Sequence, residues 1–321
     1  MDFLYSITLG PVRDIAGDLV FFAEVVIGGL MAGVMYSLVA LGFVLIFKAS
    51  GVFNFAQGVL ALFAALTLVG VMEFLGNYPE EQLPLVLIVL AIIATAAVMV
   101  GVAFLVERLV LRHLVNQEPI ILFMSTIGLA FILEGAGDIL WGSDVKLMDI
   151  GIPDDSFILG GILLNQFDIV ATVTAAVLVA VLAVLFQTTR IGRALRAVAD
   201  DHQAALSVGI PLKTIWVVVW AVAGIVALVA GIMWGGKSGV QFSLSLIALK
   251  ALPVLILGGF TSIPGAIVGG LIIGVGEKIA EVYWGPALGG AIENWFAYML
   301  AMVVLFFRPQ GLFGEKIIER I

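Results

Sequence analysis

Residues 244–282 read LSLIALKALPVLILGGFTSIPGAIVGGLIIGVGEKIAEV. As one helix, these roughly 39 residues would extend about 58 Å at 1.5 Å per residue. That is nearly twice the bilayer core of about 30 Å. The run is interrupted by Gly258-Gly259-Phe260-Thr261-Ser262-Ile263-Pro264-Gly265, where paired glycines end one helix and a proline opens another. It therefore reads as two membrane segments joined by a tight turn. Further apolar stretches lie at 20–47, 55–76, 84–107, 119–140, 167–186, 214–234 and 292–307. All are continuous runs rather than ten-residue alternations, which excludes a closed barrel. The chain is expected to be an all-α polytopic membrane protein, a bundle of about eight to nine transmembrane segments with discontinuous helices.

Composition agrees. Of 321 residues, 62% are hydrophobic and 12% charged, against about 45–50% and about 25% for a soluble domain. An ordinary cytosolic enzyme and a disordered chain are excluded. So is a nucleic-acid partner, because the net charge is −8 and such a partner calls for a clustered basic surface. With no cysteine and only His113 and His202, no metal centre, cofactor site or catalytic residue is expected. Met1-Asp2-Phe3-Leu4-Tyr5 lacks the basic start of a secretory signal, so no cleaved leader is expected.

Orientation follows from the cations of the short loops. Lys48, Arg108, Arg112, Arg190, Arg193, Arg196, Lys213, Arg308, Lys316 and Arg320 mark one side, the cytoplasmic one. Glu73, Glu80 and Glu81, and the Asp-rich stretch 138–168 with its single Lys146, mark the other. Alternation then places the N-terminus outside and the C-terminus inside, provided that 244–258 crosses and the acidic 277–293 region lies outside. The organisation expected is a single transmembrane domain over 1–321, with a membrane core at 18–314. An extracytoplasmic insertion at 141–166, a small hairpin by its Gly160-Gly161 and Val/Ile/Leu groups, and a cytoplasmic loop at 188–212 interrupt it.

Two apparent catalytic motifs fail on context. Gly231 to Ser238 fits G-x-x-x-x-G-K-[ST], yet it ends an apolar helix instead of joining a strand to a helix start. Gly236-Lys237-Ser238-Gly239 resembles an intramembrane serine nucleophile, but both histidines fall in loops.

Five features carry more. In Val52-Phe53-Asn54-Phe55-Ala56-Gln57-Gly58, Asn54 and Gln57 share a helix face in apolar surroundings and either line a solute path or bind helices together. The run 189–211 places Arg190, Arg193 and Arg196 on one face and Ala197, Ala204, Ala205 and Val208 on an apolar stripe, with Gly209 and Pro211 as a stop. It reads as a short amphipathic helix that docks on a soluble partner or rests on lipid headgroups. Small-residue pairs at Gly29/Gly33, Gly265/Gly269 and Gly270/Gly274 allow close helix packing. The interruptions at 48–58 and 258–265 resemble the broken helices that line transporter sites. Glu134 and Asp138, four apart near one end of a span, are candidate intramembrane acids, and the mid-span stretches otherwise lack carboxylates.

Four segments together resemble the branched-chain (hydrophobic) amino acid ABC transporter permeases of the LivH type. They are Asn54-Phe55-Ala56-Gln57-Gly58; Gly192-Arg193-Ala194-Leu195-Arg196-Ala197 with Gly209-Ile210; Val254 to Ala266; and Arg308-Pro309-Gln310-Gly311-Leu312-Phe313-Gly314. The likeness spans roughly residues 22–314. It implies a multi-pass subunit of the bacterial inner membrane, working by alternating access with a second homologous permease subunit. Two ATP-binding cassette ATPases and a periplasmic substrate-binding protein would complete the assembly. ATP would be hydrolysed on the partners, so this chain is not itself an enzyme. The resemblance further implies a substrate path past Asn54, Gln57, Gly58, Ser262 and Pro264, and ATPase coupling through Arg193, Arg196, Asp200, Ala204, Ala205 and Gly209. Gln203 stands where the coupling motif of such importers has Glu. The solute the resemblance implies is a branched-chain or hydrophobic amino acid, with urea, short amides and aromatic acids as alternatives. A self-sufficient secondary transporter or channel is the reading from a different class.

Overall fold

The computed structural model describes residues 2–76, 78–114, 117–200 and 202–314; Lys316 and Arg320 lie outside them. In chain order the helices begin with α1 (Asp2–Gly17), α2 (Leu19–Ser50), α3 (Gln57–Leu75), α4 (Leu85–Leu109) and α5 (Pro119–Trp141). A hairpin, β1 (Ser156–Leu159) and β2 (Ile162–Asn165), precedes α6 (Gln166–Thr188). Then come α7 (Arg190–Asp200), α8 (His202–Ser207), α9 (Leu212–Ser238), α10 (Ile247–Gly258), α11 (Ile263–Leu288) and α12 (Glu293–Phe307). Among the described residues, seven helices are long and apolar enough to cross a membrane, and Phe242–Gly258 and Glu293–Phe307 are shorter apolar helices. The architecture is the expected all-α polytopic bundle. The long run breaks between Gly258 and Ile263, where the glycines and proline placed the turn. The 3-10 turn Phe242–Leu246 extends α10 backwards, giving a segment about 28 Å long.

The hairpin pairs Ser156 with Asn165 through Leu159 with Ile162. Its turn places Gly160 at φ 62° and Gly161 at φ 90°, the pair of left-handed residues a two-residue hairpin turn requires. Helix α1 was not expected from the sequence. It carries Asp2, Arg13, Asp14 and Pro11, too polar a set for a membrane span, and is held by tertiary contact: the Trp284 indole of α11 donates to the Ile7 carbonyl at 3.0 Å.

The chain divides into two compact units. One comprises Leu41–Gly151 and Leu178–Leu249. Its centre is α3, buried on every side from Gln57 to Gly70, as an evenly apolar helix must be. Helix α9 approaches it closely, since a Cβ on Gly231 would lie 2.5 Å from the Ala61 carbonyl. The Trp216 indole of α9 donates to the Ala49 carbonyl at 3.2 Å, satisfying an otherwise orphaned group in the last turn of α2. At the far end Lys146 pairs with Glu73 at 2.7 Å and bridges to Val240, strapping the segment after α5 over α3 and α9.

The other unit comprises the described parts of Met1–Ala40 and Lys250–Ile321, with Ile152–Val177. Helix α11 presents two glycine faces here. Gly270 and Gly274 meet Gly33 and Gly29 of α2 backbone to backbone, while Gly265 and Gly269 meet Gly258 and Val254 of α10. A side chain at any of these contacts would push the helices apart, so the small-residue spacing acts as packing geometry. The hairpin is tied to α2 by the Leu163 N–H, which donates to Glu24 Oε2 at 2.9 Å.

Candidate functional site

The turn between α2 and α3 brings Asn54, Gln57 and Gly58 together. Asn54 is completely buried and Gln57 nearly so. Leaving such amides unpaired would cost about 1–3 kcal/mol each, and each has a partner. Asn54 Oδ1 accepts from the Ala56 N–H at 3.1 Å, and its Nδ2 donates to Gln57 Oε1 at 3.4 Å. Gln57 Nε2 reaches across to the Ala223 carbonyl of α9 at 3.4 Å. Room for that amide comes from Gly42 of α2, where a Cβ would collide with it. The Phe55 N–H donates to Thr126 Oγ1 of α5 at 3.1 Å. A Cβ on Gly58 would strike Ser245 and Ala248, so this glycine seats α3 against the start of the 242–258 segment. The cluster is thus a polar knot joining α2, α3, α5 and α9. Asn54 Nδ2 and Gln57 Nε2 each retain one N–H without a partner among the described residues.

The break between α10 and α11 holds Ser262 and Pro264. Ser262 caps α11 by accepting from the Gly265 N–H at 3.0 Å, and Pro264 occupies the first turn, where its missing N–H costs nothing. The 308–314 tail then closes the break. The Leu312 and Phe313 N–H groups donate to the Leu257 and Gly258 carbonyls at 2.8 and 3.1 Å, capping the C-terminus of α10. Two sequence segments quoted above are therefore one structural joint. Gly311, at φ +78°, touches the Gly259 backbone so closely that a Cβ would lie 2.8 Å from Gly259 N.

In the 189–211 loop the described residues on either side of position 201 are helical, as α7 and α8. The buried positions are Gly192, Leu195, Val198 and Ala205; Ala204 is exposed, and Val208 is 74% exposed, so the expected alanine-valine stripe is not the packed face. Arg193 and Arg196 turn back onto α6. Arg193 donates to the Thr188 carbonyl at 3.0 Å, and Arg196 to the Phe186 and Gln187 carbonyls at 2.7 and 3.3 Å. Their guanidinium groups cap the last turn of α6 and neutralise its dipole. Gly209 sits at φ +85° in a closing motif in which its N–H donates to Leu206 and that of Ile210 to Ala205, both at 3.0 Å. The side chains of Asp200 and Gln203 lie outside the described set.

One charged pair escaped the sequence reading. Glu277, expected in an outer loop, lies midway along α11 and is 2% exposed; mid-span carboxylate is therefore present after all. Lys250 of α10 donates to its Oε1 at 2.5 Å and to the Glu293 carbonyl at the start of α12 at 3.1 Å. The signal available in the sequence was Lys250 itself, a lone cation inside the run 244–258 that calls for a nearby anion. Glu134 is half-buried and Asp138 exposed near the end of α5. The Gly231–Ser238 motif lies wholly within α9, where its backbone N–H groups serve the helix.

With these four joints in place, the chain can be compared with known proteins. The family described as branched-chain amino acid transport system permease component matches residues 25–308. The chain belongs to this family. It is 27% identical to the high-affinity branched-chain amino acid transport system permease protein BraD of Pseudomonas aeruginosa, over 95% of this chain and 99% of that one. It is 24% identical to the permease protein LivH of the corresponding Escherichia coli system, over 94% and 98%. A probable LivH of Methanocaldococcus jannaschii is 26% identical over 89% and 91%. No solved structure matches the chain significantly. The permease joints described above, from Asn54 to Arg308, fall almost wholly inside the matched region.

Proposed function

We propose that this permease is the membrane-spanning subunit of an ATP-driven importer that moves branched-chain or other hydrophobic amino acids inward across the bacterial inner membrane. The observation that carries the reading is the family match over residues 25–308, nearly the whole bundle. A second permease chain of similar sequence, two ATP-binding cassette subunits and a periplasmic binding protein complete the transporter. The basic loops support a cytoplasmic position for α7 and α8 and an outer one for the hairpin segment 141–166.

The 188–212 loop is the coupling element. Exposed Leu206 and Val208 offer apolar anchors to an ATPase groove. Arg193 and Arg196 lock α7 onto the end of α6, so a displacement of α7 is carried into that helix instead of being absorbed at the joint. The ATPases supply the differential free energy between inward- and outward-open states. The knot at Asn54 and Gln57 and the joint at Ser262 and Pro264 keep the helices beside the path in register, and the spare amide N–H groups of Asn54 and Gln57 provide donors along it.

The test is uptake by the full assembly in proteoliposomes, with radiolabelled leucine, ATP inside and binding protein outside. ATP-dependent leucine accumulation is expected. Uptake that persists without ATP and without the ATPase subunits would sink the importer reading in favour of a self-sufficient transporter. Uptake of urea, acetamide or benzoate in place of leucine would move the substrate assignment and leave the importer intact.

A further inference from the structure

Lys250 and Glu277 are ionisable groups on membrane helices, a placement costly enough to mark a functional site by default. Two features distinguish the pair from a simple clamp. Glu277 Oε2 is buried and has no hydrogen-bond partner among the described residues, although Oε1 is engaged by Lys250. The Lys250 ammonium uses two of its three donors, on Glu277 and the Glu293 carbonyl, and its side chain is 28% exposed. A cation with a free donor and an anion with a free acceptor thus stand side by side, midway along a span.

We propose that Lys250 and Glu277 form a binding site for a small zwitterion, Lys250 taking its carboxylate and Glu277 its ammonium. This rests on the import reading above. Between solutes the two charges neutralise each other, which avoids an uncompensated buried charge. A zwitterion exchanges partners with both at once and keeps every charge matched. A monocarboxylate or a simple amine can match only one and leaves the other buried alone, while urea or an amide matches neither. The pair therefore selects for opposite charges a few bonds apart, a property of the α-amino acid group, independently of the side chain. Its location on α10 and α11, the two helices on either side of the Gly258–Ile263 break, places the site on a broken-helix element.

The experiment measures radiolabelled leucine binding to the permease–ATPase assembly in nanodiscs without binding protein, alongside ATP-driven uptake with it. Unlabelled leucine should displace the label at concentrations at least about tenfold lower than isovalerate or isopentylamine, each of which carries one of the two charges. Glu277→Gln should weaken leucine binding by about tenfold or more and abolish the preference over isovalerate. The double variant Lys250→Met/Glu277→Leu removes both charges while keeping apolar packing, an exchange that buried pairs often tolerate structurally. If the pair binds solute, this variant assembles normally yet loses leucine binding and uptake. Binding and uptake within about twofold of wild type in the double variant would overturn the proposal and leave the pair a clamp. Absence of saturable leucine binding to wild-type nanodiscs overturns it too. ATP-driven leucine uptake can persist in either case, so the importer reading stands or falls separately.

Discussion

Gln57 shows how a residue can be legible in type and hidden in role. An amide among apolar residues has to find partners, so its burial could be inferred from Val52–Gly58 alone. Its actual partner, the Ala223 carbonyl, is 166 residues away, and the space it fills is set by Gly42 on a third helix. No local pattern encodes that. Gly42→Ala is therefore expected to act as a disruption of Gln57: its methyl collides with the amide and should cost about 1–3 kcal/mol, as overpacking does. A lowered thermal midpoint of the detergent-purified permease checks it, and Gln57→Ala in the same background should recover part of the loss by vacating the space. Glu277 was misplaced for the converse reason. Glu277, Lys278 and Glu281 cluster as loop residues do, and only the pairing with Lys250, 27 residues earlier, explains how the helix continues through them. Arg196 is a third case, because its positive charge suggested a partner surface, yet the guanidinium forks onto two carbonyls of α6. Arg196→Lys keeps the charge and loses the fork. It should leave the ATPase active while lowering leucine uptake severalfold, measured as the ratio of uptake to ATP hydrolysed in proteoliposomes.

At the scale of elements, the breaks were readable and what closes them was not. Gly258-Gly259 and Pro264 announced where α10 ends and α11 begins. The tail 308–314 read only as a motif, although its Leu312 and Phe313 N–H groups cap α10. Helix capping is local for α11, through Ser262, and depends on the far end of the chain for α10, so only the first could be expected from sequence. The joint at the tail makes a graded prediction. Gly311→Ala meets two penalties, a left-handed φ of +78° and a Cβ 2.8 Å from Gly259 N. Gly51→Ala meets only the first, at φ +69° in open space. The left-handed conformation alone costs about 1–2 kcal/mol. Gly311→Ala should exceed Gly51→Ala in the loss of thermal stability, and should expose 308–314 to limited proteolysis, which Gly51→Ala should not.

At the scale of the whole molecule, alternation of charged loops and a connected hydrogen-bond network constrain topology together. Among the described residues, seven long helices and two short ones give an odd number of segments, so the ends of the bundle fall on opposite sides if each segment crosses. The short segment Phe242–Gly258 is the critical one: with a length of about 28 Å it just matches the bilayer core. The bonds from Leu312 and Phe313 to Leu257 and Gly258 place the tail and the α10–α11 break at one membrane face. Locating the tail therefore locates the break. Because the chain contains no cysteine, single cysteines report without background. Exposed positions in loops expected on opposite sides are available at Ser143, Ser243, Ser207 and Gln310. A membrane-impermeant maleimide added to intact spheroplasts should label Ser143→Cys and Ser243→Cys at once. Ser207→Cys and Gln310→Cys should react only after the membrane is permeabilised. Immediate labelling of Gln310→Cys alongside Ser243→Cys would mean that 242–258 enters and leaves by the same face, since the tail cannot leave the break without losing the caps on α10.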